Sequence, residues 1–410
     1  MKSPFLIFWL LLVALLLQGC GSSGKTVRIP TELMPITSDY DMQFAWQVGL
    51  GKMSAADAKG LNIALDSKRL FVASAAGDLM ALHKTNQARF TDQVIWHIKY
   101  EARITSGPLL HDNQLFIGTS KGDVFALSAD NGQIIWQAQL NSELVSLPVL
   151  ADGRLFVRTN DGRVLALNAL NGDVVWTAEH QLPNLFLRGA AAVLVENGVL
   201  YVGRESGFVE ALSAATGEKH WEARVAIPRG RTDLERMVDV QSGLVLDSGR
   251  LFVLSYNGRL AALNPQNGNF LWAKDLSGYR DFVLDRQALY VIDEDDVLRA
   301  FDLASGTEYW SQQQFKYRML GDVQWDRGQL LVDDGLGYLH WVNPRDGSML
   351  GRAKLANHLD SGQTLLRIAR DNDQYFVLDA DANISAYQRK PNPLAREGRS
   401  PLSSQQRITP

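Results

Sequence analysis

The residues that could do chemistry are few, and most are spaced badly for it. The chain has seven histidines: His83, His97, His111, His180, His220, His340 and His358. No two fall in a His-x-His or His-x3-His pair, the spacing that would bring two imidazoles together on one strand or helix face to hold zinc. Asp293-Glu294-Asp295-Asp296 offers the carboxylates that a hard cation prefers. It lacks the ligand spacing and central glycine of a calcium loop, and it lies between two strand patterns, so it reads as an exposed acidic turn. Nothing in the chain resembles a catalytic constellation. Seven of the ten tryptophans, Trp46, Trp96, Trp136, Trp176, Trp221, Trp272 and Trp310, recur at a single position of a repeat. A residue that returns once per unit serves the unit, which predicts packing between neighbouring units and not a cofactor site.

The repeat is plainest from Leu115 to Trp136, LFIGTSKGDVFALSADNGQIIW. It holds a β-rich run, a turn at Lys121-Gly122, a second apolar run at Val124–Leu127 and an Asn131-Gly132 hairpin signal leading into the tryptophan. Further copies begin at Leu70, Leu155, Leu200, Leu251, Leu289, Leu330 and Tyr375, 38 to 51 residues apart. Each is preceded by one more strand pattern, such as Pro108-Leu109-Leu110. Four strands per unit at this period is the signature of a propeller blade. The sixth copy has Asp296 where others have glycine, the seventh has Gly351 in place of tryptophan, and the eighth stops near Tyr387, before its last strand. Phe44–Val48 supplies a spare last strand at the other end. Pairing the two would hide sheet edges that otherwise aggregate. The fold class expected is all-β: an eight-bladed β-propeller of four-stranded antiparallel blades over 41–388, its ring closed by an N-terminal strand.

With 410 residues, 46% of them hydrophobic, the chain can bury a large core. A net charge of −4 and no basic stripe give no reason to expect nucleic acid. The single cysteine, Cys20, excludes an intrachain disulfide. It follows Lys2 and an uncharged apolar run from Phe5 to Leu17, the length of a signal-peptide core and short for a bilayer span. Leu17-Gln18-Gly19-Cys20 resembles a bacterial lipoprotein signal, which implies cleavage after residue 19 and lipidation of Cys20. Gln18 is less usual there than Ala or Ser. Gly21, where an aspartate would retain the protein at the inner membrane, implies transfer to the outer membrane. Residues 20–40 then read as the lipidated cysteine and a flexible tether, and 389–410, rich in Pro, Ser and Arg, as a disordered tail.

Loop length points to a binding surface, because propellers bind through loops on a rigid scaffold. Most connections from a tryptophan to the next copy take 17 to 20 residues, but Trp176 to Leu200 takes 24 and Trp221 to Leu251 takes 30; two others of 24 flank the ring closure and the blade lacking tryptophan. The connections after Trp176 and Trp221 are neighbours on one face. The first contains Leu182–Arg188, with Leu185, Phe186 and Leu187 in what should be solvent. The second contains Arg229, Arg231, Asp233, Glu235, Arg236 and Asp239. Apolar anchors ringed by charge suit a protein interface; alternatively, Leu185 and Leu187 fold down onto the blade.

Ala-Leu-x-x-x-x-Gly-x-x-x-Trp resembles the repeat of pyrroloquinoline quinone (PQQ) dehydrogenases over roughly residues 40 to 388. Those enzymes place vicinal cysteines, calcium and an aspartate over the quinone, and no cysteine follows Cys20 here. Signal, tether and eight repeats together resemble the BamB family of outer-membrane β-barrel assembly lipoproteins. The likeness is closest at Leu185–Gly189, Thr232–Val240 and Gly335–Trp341. It implies a non-catalytic, cofactor-free scaffold on the periplasmic face of the outer membrane. That scaffold would bind the POTRA domains of BamA and assist folding and insertion of β-barrel proteins. Other Bam lipoproteins and nascent outer-membrane proteins would be further partners. Leu185, Leu187, Arg188 and Asp239 match the family's BamA contact positions, and Gln241 stands where the family has a second aspartate. A periplasmic PQQ-dependent oxidoreductase and a cell-wall glycan-binding module are the alternative readings.

Overall fold

The computed structural model describes residues 28–51, 60–87, 89–186, 193–355 and 365–392. Two compact units divide the chain, Met1–Pro30 and Thr31–Pro410. The second contains eight four-stranded antiparallel sheets, each built from consecutive strands except the last. Blades one to seven hold strands β2–β5 (63–99), β6–β9 (104–139), β10–β13 (149–178), β14–β17 (194–224), β18–β21 (245–275), β22–β25 (283–312) and β26–β29 (324–354). Blade eight joins β30–β32 (365–391) to β1, Tyr40–Gly49. The expected ring closure is therefore present. β1 pairs with β32 from Tyr40↔Pro391 to Gly49↔Asn383, with a bulge between Phe44 and Trp46. The pairing carries β32 (Asn383–Pro391) three residues beyond Gln388.

The repeat dictates this geometry locally. The inner strands are short apolar runs such as Leu115–Thr119 and Val124–Leu127, buried on both faces by neighbouring blades. At the end of each second strand a Ser, Thr or Asp commonly caps the turn. Thr119 Oγ1 accepts from the backbone N–H groups of Lys121 and Asp123, and Gly77, at φ 94°, sits where a Cβ would strike the carbonyl of Tyr100. The seven repeated tryptophans do join the blades. Each indole packs on an aromatic of its own blade, as Trp136 does on Phe116 at 6.0 Å. Each also donates Nε1 to a carbonyl of the next blade: Trp46 to Lys84, Trp96 to Ala129, Trp136 to Ala169, Trp176 to Ala214, Trp221 to Pro265, Trp272 to Leu303 and Trp310 to Pro344. The hairpin glycine of that next blade lies against the ring, where a Cβ on Gly172 would come within 2.5 Å of Trp136.

Blade seven lacks the tryptophan and uses charge instead. Asp326, fully buried, accepts hydrogen bonds from Trp341 Nε1 (2.6 Å), from Tyr375 Oη, and from Arg370 and Arg389 of blade eight. Gly351 leaves room for Ser38 and Tyr40. The residues before β1 lie along this blade. Thr31 N–H donates to Lys316 O, Arg318 donates to Thr31 O, and Arg352 donates to Met34 O.

The Asp293–Asp296 turn corrects the expectation of an exposed acidic loop, because Asp293 and Asp296 are both buried. Asp293 caps the turn and pairs with Arg299 at 2.9 Å. Asp296, at φ 64°, takes the glycine position. Its carboxylate accepts the N–H groups of Met319 and Leu320 and pairs with Arg280 at 2.8 Å. The backbone there needs the left-handed conformation that Asp tolerates, and the side chain bridges blades six and seven.

Candidate functional site

Turns between second and third strands, and the connections leaving each fourth strand, share one face of a propeller. The long connection after Trp176 begins as β13 (Val174–Ala178) ends, and its first residues cover blade three: a Cβ on Gly162 would meet His180 O and Leu182 Cγ. Beneath it lies a charged seam between blades three and four. Arg158 pairs with Glu205 at 2.6 Å, His180 Nε2 with Glu210 at 2.5 Å, and Arg204 donates to Gly162 O. Burial, and then the charge of Arg158, push the Arg204 guanidinium down to about 10, while burial raises Glu210. An open cavity of about 570 Å³ is lined by Asp161, Arg163, Glu179, His180 and Gln181. Leu185 is 43% exposed, and Leu187 and Arg188 lie outside the described residues.

The connection after Trp221 is anchored at both ends. Val225 and Ala226 donate to Gly207 O, and Val240 donates to Arg204 O while filling the space over Gly203. Between them Thr232-Asp233-Leu234-Glu235 forms a reciprocal capping box. Glu235 accepts the N–H groups of Arg231 and Thr232, and Glu235 N–H donates to Thr232 Oγ1. Those backbone N–H groups hold the Glu235 carboxyl below its usual range. Leu234, 67% exposed, stands at the tip. Asp239 is not at the surface. It is 1% exposed and pairs its backbone with Tyr256 in an antiparallel bridge, while Asn257 Nδ2 donates to Met237 O from the same blade-five turn. Gln241 is likewise buried. A second cavity of about 170 Å³, lined in part by Val225, Ile227, Arg229 and Arg259, opens beside this connection.

Among the described residues no group of three His, Cys, Asp or Glu side chains could hold a metal ion. Two formal motif matches escape a reading built on the repeat. Gly118-Thr119-Ser120-Lys121-Gly122 satisfies Gly-x-Ser-x-Gly, but it turns from one strand into another, whereas a nucleophile elbow runs from strand to helix. Gly19–Thr26 satisfies the P-loop spacing and lies outside the described residues.

Fold and site together define a propeller of the quinoprotein-repeat class whose elaboration is concentrated in two neighbouring connections. The family model described as "Outer membrane protein assembly factor BamB" matches residues 85–312. The chain is 31% identical over 352 residues to the BamB of Escherichia coli K12, covering 84% of this chain and 90% of that one. It is 36% identical over 346 residues to that of Pseudomonas aeruginosa, with 84% and 90% covered. The chain belongs to the BamB family of outer membrane protein assembly factors. The crystal structure of BamB from Moraxella catarrhalis superposes with a TM-score of 0.72 at 23% identity, over 85% of this chain and 99% of that one. The quinohemoprotein alcohol dehydrogenase of Comamonas testosteroni shares the fold at a TM-score of 0.64 and 12% identity, over 85% and 76%.

Proposed function

We propose that this chain is a non-catalytic scaffold of the outer-membrane β-barrel assembly complex. Lipid on Cys20, after removal of a signal peptide at 1–19, holds it at the periplasmic face of the outer membrane. Its two long connections bind the POTRA domains of BamA, and in that position it assists folding and insertion of barrel proteins beside the other Bam lipoproteins. Family membership supports the role. The observation that carries the site is the exposure of Leu185, Ile227 and Leu234 on two adjacent connections, the second of them tied at both ends to blades four and five. Solvated apolar side chains on anchored loops, ringed by arginine and carboxylate, are the composition of a protein-binding patch.

Leu185, Leu187 and Arg188 make direct contact in this reading. Asp239 acts from beneath by fixing the second connection to the Tyr256 turn. The test is affinity capture of BamA from detergent-solubilised membranes by the lipidated protein. Arg188→Glu and Leu185→Glu are expected to reduce recovery at least tenfold with an unchanged melting temperature, and Asp239→Pro, which removes the N–H that donates to Tyr256 O, to lower both. Full recovery of BamA by the first two variants counts against the site.

A further inference from the structure

The fourth strand of every blade is the outer edge of its sheet, with one row of backbone N–H and C=O groups unpaired. Proteins guard such edges with charge, proline or a covering segment. Six of the eight outer strands here carry charge, including Asp41, Lys99, Glu222, Lys274, Glu308 and Arg352. Blade seven is also covered, since Arg352 N–H donates to Ser38 Oγ. The other two, Ile134–Gln139 (IIWQAQ) and Val174–Ala178 (VVWTA), have neither charge nor proline, and they belong to adjacent blades.

The same two edges and the hairpin between them carry five of the fifteen large hydrophobic side chains exposed among the described residues. Ile134 is 54% exposed, Ile135 48%, Val174 49%, Val175 47%, and Leu170 in the intervening hairpin 81%. They are continuous. Trp136 donates to Ala169 O, and Gly172 lies on its ring, so the hairpin bearing Leu170 is seated against the strand bearing Ile135. The bulge beside each tryptophan is not what distinguishes them, since blades one and four to six have it too.

We propose that the outer edges of blades two and three each bind an extended, uncharged polypeptide segment that adds as a further strand. The occupant is a not yet inserted transmembrane strand of an outer-membrane barrel, and this rests on the assembly role proposed above. Its chemistry fits on three counts. An edge recognises backbone in the extended state and no other conformation. A barrel strand of about ten residues alternates apolar with small polar side chains, so one row would lie on the Ile134–Val175 surface. An edge without ionic groups imposes no charge requirement on a segment that has none to offer.

The probe is a soluble twelve-residue peptide of alternating valine and threonine with lysines at both ends. Amide hydrogen exchange of the full chain locates it, and fluorescence anisotropy gives its affinity. Exchange is expected to slow at least tenfold within 134–139 and 174–178. Ile135→Lys combined with Val175→Lys, which installs at exposed positions the guard the other edges have, should abolish that protection and weaken affinity at least tenfold. The proposal is overturned by unchanged binding to the double variant, by protection at the charged edge 219–224 instead, or by absence of binding at millimolar peptide. It is also overturned if sedimentation shows the edges pairing two copies of the chain while the peptide protects nothing. BamA capture by the same double variant separates the two readings, because it should remain at the wild-type level. Failure of wild-type capture would undo the scaffold role and leave the peptide result standing.

Discussion

Trp46 Nε1 donates to the carbonyl of Lys84 at 3.3 Å, across the seam where the first strand of the chain meets its first complete blade. The bond repeats the relation that six other tryptophans make, but here it closes the ring. Lys84 reinforces the closure, its buried ammonium reaching Asp371 of blade eight and the carbonyl of Asp66.

Trp46→Ala should therefore cost about 3–5 kcal/mol, the usual cost of truncating a buried tryptophan. Trp136→Ala, inside the ring, should cost a similar amount. The two differ in outcome: opening the closing seam frees both ends of the chain. Limited proteolysis should cut Trp46→Ala first between residues 31 and 50, and should leave that stretch intact in Trp136→Ala at equal destabilisation.

Restoring the repeat at its missing position should harm the protein. A Cβ at Gly351 already meets Ser38 Oγ at 3.0 Å, with Tyr40 and Trp341 at 3.6 Å. Gly351→Trp would displace the segment before β1 and destabilise by about 1–3 kcal/mol as an overpacked site. A rise in melting temperature would refute this.

Asp326 carries the corresponding load in blade seven. Burial pushes its carboxyl up, but hydrogen bonds from Tyr375 and Trp341 and the charges of Arg389 and Arg370 outweigh that and hold it below the ordinary range. A depressed carboxyl contributes stability that is present above the unfolded value of about 3.9 and lost as pH falls through the folded one. Asp326→Asn should cost about 3–5 kcal/mol at pH 7, because it leaves Arg370 without a carboxylate and Arg389 with Asp373 alone. The gap to wild type in chemical denaturation should narrow below about pH 4.

Asp333 behaves oppositely. Burial, and then the charge of Asp322, push it up to about 7. A raised carboxyl favours the folded state at low pH and loses that advantage as pH rises from the unfolded value of about 3.9 towards 7. Asp333→Asn should leave stability near pH 4 unchanged and raise it at pH 8, by on the order of 1–3 kcal/mol. Equal unfolding midpoints at pH 8 would refute this assignment.

The blade count, the ring closure and the task of the tryptophans were legible in the sequence because each depends on a residue recurring at fixed spacing. Trp136 and Gly172 announce their contact through every other pair like them. What was not legible depends on partners far apart in the chain. Asp293 and Asp296 look like a solvated acidic turn until Arg299, Arg280 and the Met319-Leu320 backbone are folded over them. Asp239 reads as one surface charge among several, yet its register opposite Tyr256 buries it. Leu185 is exposed as expected. The unguarded edges at Ile134 and Val174 were visible as letters, but their meaning required knowing which strand of each blade faces outward.

The pairing of β1 with β32 links Tyr40 to Pro391, residues separated by almost the whole folded unit. Its formation thus certifies that the chain is whole. A polypeptide whose synthesis stops before Asn383 can assemble interior blades, yet Tyr40–Gly49 has nothing to bind and the last sheet stays open. Such a product displays two raw strand edges at once, each a template for pairing with another chain. The closure that stabilises the ring therefore also hides the two edges, and it can do so only after the final strand has been made.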